Sequence, residues 1–290
     1  MADQLARVLA ADGSVRALAV VTTDLVEEAR DRHGTLPTAT AALGRALTAA
    51  LLVAATLKHD ERLSLEFRGD GPLRGILAQA TPDGDARGYV LRPDTHLPPR
   101  NGKLDVGGAL GRGVLCVMRV PLAGGSLYRS VVPLVSGEIG QDVARYLLES
   151  EQCPAALGVG VFIQPDGRVG AAGGYLLQAM PGAAPETVAR LEHSVGASPA
   201  PTELVRGGLA AADMITRLLD GVPSRLLDER PVHFRCRCSR ERVDVALLAM
   251  GREELARVVD EDHQAEVICE FCAARYVVEE VELRALLTPS

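Results

Sequence analysis

Cys236-Arg-Cys238, followed after thirty intervening residues by Cys269-Glu-Phe-Cys272, is the stretch on which the reading of this chain turns. Four thiolates converging on one Zn2+ ion satisfy its preference for soft ligands in a tetrahedron. A C-x-x-C pair wraps two sulfurs around one ion. C-x-C does so more tightly and is less usual in purely structural sites. A lone cysteine is often no more than a small buried hydrophobe, but four in this order point to a metal. His233, three residues before Cys236, and His263, six before Cys269, keep open a set of three cysteines and one histidine beside the all-cysteine set of Cys236, Cys238, Cys269 and Cys272.

These cysteines sit in a terminal segment, 232–290, of about sixty residues, too short to bury enough surface for secure stability alone. Binding energy at a structural zinc site, on the order of 10–16 kcal/mol, is folding energy for such a segment. Zinc-bound sulfur is thiolate, the form that oxidants attack, and each spacing puts a second thiol beside the first. The pattern therefore suits an oxidant-triggered unfolding switch. Within the segment, Arg242 to Met250, Glu253 to Val259 and Val281 to Leu287 read as helices, with a hairpin around Cys269–Cys272.

Upstream, residues 181–231 form a linker. Glu186 to Val195 predicts one helix. A second, from about Thr202 to Leu219, carries Leu204, Ile215, Leu218 and Leu219 on one stripe. Gly207-Gly208 weakens it by about 1 kcal/mol per glycine relative to alanine, and helices this short need tertiary support.

Residues 1–180 read as an α+β domain. Val15 to Thr22 is β-branched and apolar, a strand. Thr40 to Leu57 is Ala/Leu-rich, interrupted only by Gly44, and predicts a helix capped by Thr38 or Thr40. Leu63 to Arg68 alternates, turns at Gly69-Asp-Gly-Pro and returns along Leu73 to Ala80. Val114 to Val120 and Tyr128 to Val135 are strands joined through Ala123-Gly-Gly-Ser. Glu138 to Gln152 is helical, and Gly158 to Gln164 with Val169 to Gln178 form a hairpin across Pro165-Asp-Gly. The fold class expected is thus α+β: a mixed α/β N-terminal domain, a helical linker and a small C-terminal zinc-binding domain with four cysteine ligands.

The 290-residue chain is 47% apolar and carries a net charge of −7, which argues against general disorder. Segment 231–290 holds 8 arginines against 12 acidic residues, so a nucleic-acid zinc ribbon lacks its basic surface. A thiol-disulfide oxidoreductase built on Cys269 and Cys272 would need a helix N-terminus in a thioredoxin-like setting, whereas the flanks read as a hairpin. Gly107-Gly-Ala-Leu-Gly-Arg-Gly113 does not fit a phosphate loop, and Gly102-Lys103 precedes leucine rather than Ser or Thr. No G-x-S-x-G elbow is present. The expectation is a non-enzyme. The longest apolar run, Ala46 to Leu57, falls short of the roughly 20 residues of a membrane span, and no secretory signal is visible, so the expected location is the cytoplasm.

Val232-His-Phe-Arg-Cys-Arg-Cys-Ser-Arg-Glu-Arg and Cys269-Glu-Phe-Cys-Ala-Ala-Arg-Tyr276 closely resemble the zinc domain of the thirty-three-kilodalton heat-shock protein family of redox-regulated bacterial holdase chaperones. Leu43-Gly-Arg-Ala, Gly69-Asp-Gly-Pro, Arg87-Gly-Tyr89 and Tyr146-Leu-Leu-Glu-Ser-Glu-Gln152 resemble its N-terminal domain in the same order. The resemblance implies one Zn2+ per chain in a reduced, inactive state. It also implies disulfides Cys236–Cys238 and Cys269–Cys272 on oxidation, with loss of zinc and unfolding of zinc domain and linker. It further implies binding of unfolded client proteins, dimerisation on activation, and no use of ATP. Tyr128-Arg-Ser130 departs from the family's Tyr-x-Gly, and Asp262-His263 stands where a glycine turn is usual. Cys116 and Cys153 lie outside the motif and are expected to be buried apolar residues.

Overall fold

The structure, a computed structural model, describes residues 2–122 and 124–288. Two compact units divide the chain, 1–235 and 236–290. In chain order the first contains β1 (Gln4–Ala10), β2 (Val15–Val21), α1 (Thr23–His33), α2 (Pro37–Ala54), β3 (Glu61–Gly69), β4 (Gly75–Ala80), β5 (Asp85–Val90), α3 (Val106–Leu110), β6 (Gly113–Pro121) and β7 (Tyr128–Pro133). It continues with α4 (Gly140–Glu151), β8 (Ala155–Ile163), β9 (Val169–Ala179), α5 (Pro185–Ala197), α6 (Pro201–Arg206), α7 (Ala211–Leu218), β10 (Ser224–Pro231) and β11 (His233–Phe234). The mixture of sheets and helices is the α+β class that the sequence predicts.

Two sheets enclose α2. One is antiparallel, in the order β10-β1-β2-β9-β8; the other runs β11-β5-β4-β3-β6-β7, with only β11 parallel to its neighbour. Because α2 packs against both sheets, 16 of its 18 residues are buried, as expected of a helix apolar all round. By length and composition α2 could cross a membrane, but 89% of it is buried inside the protein, and it is a core helix. It starts three residues before the Thr40 read from the sequence and ends three before Leu57. Pro37 occupies its first turn, where the missing N–H is no loss, and Leu36 stands at the N-cap. Thr38 and Thr40 are buried within the helix. Gly44 has a packing reason: a Cβ there would lie 2.5 Å from Val26 Cγ1 and 2.7 Å from Val161 Cγ2.

The hairpins β3–β4, β6–β7 and β8–β9 pair in antiparallel register as read from the sequence. Of the Ala123-Gly-Gly-Ser connection, Ala123 lies outside the described residues. The glycine run 107–113 is not a plain turn. Asp105 caps the short α3 by accepting from Gly108 N at 2.8 Å. Tyr128-Arg-Ser130 opens strand β7, with Ser130 opposite Val117 and its hydroxyl 2.8 Å from Ser150 Oγ.

The linker packs on the first sheet. The single helix expected over 202–219 is two helices, α6 and α7, separated at Gly207-Gly208, where Gly208 has φ +83°. Leu191, Leu204, Met214, Ile215, Leu218 and Leu219 join Ala6, Val8, Ala17 and Ala19 of the sheet in one apolar cluster. The linker then adds β10 to the edge of β1, in the register Gln4↔Pro231 to Ala10↔Ser224.

The second unit contains α8 (Arg240–Ala249), α9 (Arg252–Glu261), β12 (Gln264–Ile268), β13 (Arg275–Glu279) and α10 (Glu280–Leu287). Among the described residues its buried core comprises Val243, Leu247, Leu255, Val259, Ala265, Val278 and Leu283, with Val258, Val267, Tyr276, Leu286 and Leu287 packed against it.

Candidate metal centre

The hairpin β12–β13 carries the second cysteine pair at its turn. Cys269 N donates to Ala274 O at 2.9 Å, and Ala273 N donates back to Cys269 O at 2.7 Å. Ala273 adopts φ +56°, which folds the chain so that Cys269 and Cys272 face one point. The first pair lies in the extended segment before α8. Ser239 ends that segment and caps α8, its Oγ accepting from Arg242 N at 3.4 Å. Arg240 joins α8 to β13 and α10, donating to Val277 O at 2.9 Å and pairing with Glu282 at 2.8 Å, and within α8 it pairs with Asp244 at 3.2 Å.

The result brings Cys236, Cys238, Cys269 and Cys272 together, with their four sulfurs all within 4.8 Å of one another. Cys236 Sγ lies 3.7 Å from Cys269 Sγ, and Cys238 Sγ 3.4 Å from Cys272 Sγ. A tetrahedron with metal–sulfur bonds of about 2.3 Å has edges of about 3.8 Å, so the donor set fits a tetrahedral thiophilic ion. A disulfide would need about 2.05 Å, and all six cysteines are free thiols here. No histidine belongs to this cluster among the described residues. His263 instead places Nδ1 3.0 Å from Glu280. Its own φ of +57° supplies the left-handed turn that glycine makes elsewhere, which resolves the departure at Asp262-His263. His233 is exposed on β11, in the first unit.

The electrostatics of the four sulfurs favour a cation. Burial pushes the thiols of Cys269 and Cys272 up, and the neighbouring thiols add to the effect for Cys272. Four thiolates cannot collect here without a compensating charge, and a divalent ion provides it. Tyr276 is the partner that sequence reasoning passed over. Its hydroxyl donates to Cys238 Sγ at 3.1 Å, and that bond, with desolvation second, pushes the phenol up to about 12. Nothing in the spacing of a tyrosine four residues past a C-x-x-C marks it as a sulfur partner.

The other two cysteines lie apart from the cluster. Cys116 is buried in β6, with Arg129 Nε 3.4 Å from its sulfur. Cys153 is only half-buried, just past α4, which corrects the expectation of full burial. It sits at the open end of the hairpin β8–β9, where the sheet does not enclose it.

The Hsp33 protein family model matches residues 3–279. The 33 kDa chaperonin of Geobacter sulfurreducens is 43% identical over 98% of this chain and 94% of its own length. That of Acaryochloris marina is 47% identical over 99% and 97%, and that of Bacillus subtilis 41% identical over 98% of both. The crystal structure of the 33 kDa chaperonin from Thermotoga maritima superposes with a TM-score of 0.92 at 37% identity, covering 99% of this chain and 98% of that one. The chain therefore belongs to the Hsp33 protein family, the family of the 33 kDa chaperonins.

Proposed function

We propose that this chaperone is an ATP-independent holdase, inactive when reduced and zinc-bound and activated by oxidation. The observation that carries the reading is the set of four sulfurs within 4.8 Å of one another, in a unit whose own apolar core is seven residues. Cys236, Cys238, Cys269 and Cys272 hold one Zn2+, which when bound supplies cross-linking and charge neutralisation to the thiolates. The chain works in three parts: a core over 1–180, a linker over 181–231 and a zinc-binding switch over 232–290.

The chemistry of activation belongs to the sulfurs. A peroxide oxygen takes two electrons from one thiolate to give a sulfenic acid. A second thiol displaces the hydroxyl, which leaves as water, and the disulfide closes. We assign the pairs Cys236–Cys238 and Cys269–Cys272. Sulfurs also approach across the two pairs, but once the ligand set is broken and the unit loosens, only sequence neighbours stay close. Loss of the ligands removes the energy that folds the second unit. The linker helices are short and depend on tertiary contact. Their release uncovers Leu191, Leu204, Met214, Ile215, Leu218 and the apolar sheet face beneath them, surface suited to unfolding client proteins. Activation favours a homodimer, the location is the cytoplasm, and neither nucleic acid, membrane nor catalysis is involved.

The test is peptide mapping of the peroxide-treated chain alongside its zinc content. The reading expects one zinc per reduced chain, none after treatment, and disulfides within each pair. Zinc retained with all four thiols free, in a sample that holds clients, would overturn it.

A further inference from the structure

Far from the cysteines in sequence, within the first unit, a cleft of about 690 Å3 opens between the loop 100–108, the N-terminus of α4 and strand β8. Its rim is the turn Arg100-Asn-Gly-Lys103. Arg100 N donates to Lys103 O at 2.8 Å and Lys103 N donates to Arg100 O at 3.0 Å. Asn101 and Gly102 adopt φ of +51° and +73°, the conformation of a tight two-residue hairpin turn. Residues directly opposite in such a pair project on one face with Cβ atoms about 5 Å apart, and like charges so placed repel. Arg100 and Lys103, one of only two lysines in the chain, are placed so, and neither side chain has an ion-pair partner among the described residues.

Behind the turn, Arg45 of the core helix α2 pairs through Nη1 with Glu138 Oε2 at 2.5 Å, so that pair is close to neutral and, among the described residues lining the cleft, Arg100 and Lys103 are the unpaired cations. The acidic groups nearby are already engaged: Glu138 accepts from Arg45 and from Gly107 N at 3.1 Å, and Asp105 from Gly108 N at 2.8 Å. The first turn of α4 meets the cleft at Gly140 and Gln141, its entry already held by Asp142, which accepts from Ile139 N at 3.2 Å. Glycines 107, 108, 140 and 158 line the cleft; a Cβ at 107, 108 or 158 would meet Ser136 O, Asp105 or Tyr175 within 2.6 Å, so those three glycines are set by packing.

We propose that this cleft binds a small anion bearing a diphosphate group, with Arg100 and Lys103 taking adjacent phosphoryl groups. The spacing of the two cations suits two linked phosphates, and the cleft has room for more than the diphosphate alone. It is not a phosphate loop of the nucleotide-hydrolase kind. The helix after the glycines, α3, has only five residues, and the activity assigned is binding. The inference stands independently of the zinc switch.

The experiment is a titration of the full-length reduced protein, followed by backbone NMR shifts and calorimetry, with inorganic phosphate, inorganic pyrophosphate and ADP in separate arms. The proposal expects pyrophosphate to bind at least tenfold tighter than phosphate, to shift the amides of 100–108 and 140–141, and to weaken with salt. ADP binding more than tenfold tighter than pyrophosphate identifies a nucleotide ligand; equal binding identifies the diphosphate alone. The double variant Arg100→Ala/Lys103→Ala alters exposed positions and keeps Asn101-Gly102, and should lose affinity at least tenfold. Lys103→Glu alone should lose it as well. No binding at millimolar pyrophosphate, shifts outside the cleft, or unchanged affinity in the double variant would overturn the proposal.

Discussion

Replacing Ile215 by alanine should loosen the linker without touching a cysteine. Ile215 lies on α7, fully buried against the sheet formed by β1 and β2. The substitution removes three carbons from that contact. At about 0.8 kcal/mol per buried CH2 the transfer loss is roughly 2–2.5 kcal/mol. The cavity left behind raises the total to about 2–5 kcal/mol. Helix α7 has eight residues and cannot stand alone, so the loss falls on linker opening. About 3 kcal/mol multiplies the opened population by roughly 100-fold. Hydrogen exchange of the α7 amides in the reduced, zinc-loaded protein reads this directly. Faster exchange in 201–218 with β3 unchanged is expected, together with a lower peroxide dose for half-maximal client protection. Unchanged α7 exchange, or an equal change in β3, would refute the reasoning that these contacts hold the linker helices on the sheet.

Asp142 is fully buried, and its carboxylate accepts from Val135 N at 2.7 Å, Ser136 N at 3.1 Å and Ile139 N at 3.2 Å. Asp142→Ala should therefore cost about 3–5 kcal/mol in urea denaturation, and a loss under about 1 kcal/mol would contradict this. Burial raises the Asp3 carboxyl to about 6, against the backbone N–H groups of Leu25, Asp24 and Thr23 that lower it. An unfolded aspartate titrates near 4, so between about pH 4 and 6 the folded chain holds a proton that the unfolded chain has released. Stability should fall by on the order of 3 kcal/mol as pH rises through that window. Melting curves of Asp3→Asn, which keeps an acceptor for Leu25 N, should be flatter there, and slopes equal to the parent protein's would refute the assignment. Tyr276→Phe removes the donor to Cys238 and should weaken zinc retention roughly tenfold in a chelator competition; an unchanged competition curve would show the hydroxyl to be idle.

The convergence of the four cysteines was largely legible because its signal is local and chemical. Two close cysteine pairs need only a turn and a hairpin to converge, and the chain supplies both. The hairpin β8–β9 and helix α4 were legible for a related reason, since alternation or helical spacing is bounded there by clear turn residues. Strand β10 was not. Ser224–Pro231 is charged, ends in proline and is exposed on both faces over its first four residues. It is a strand because β1 offers it backbone partners, a tertiary cause with little trace in its own pattern. Strand β5, with Arg87 and Gly88 at its centre, reads as loop until β4 pairs with it. Helix α1 shows only Leu25, Val26 and Ala29 as its buried stripe, too little periodicity to stand out. Gly207-Gly208 reads from the sequence only as a weak point in one helix, because the apolar stripe continues across it: α6 and α7 both face the same sheet.

The central claim is that oxidation of the four clustered cysteines turns a silent protein into a holdase. Light scattering of a thermally unfolding client tests it most directly, with reduced protein and with peroxide-treated protein at raised temperature, and zinc release followed in the same samples. The account predicts suppression of aggregation only by the oxidised protein, rising in step with zinc release. Equal suppression by both samples, or suppression with zinc still bound, would contradict it.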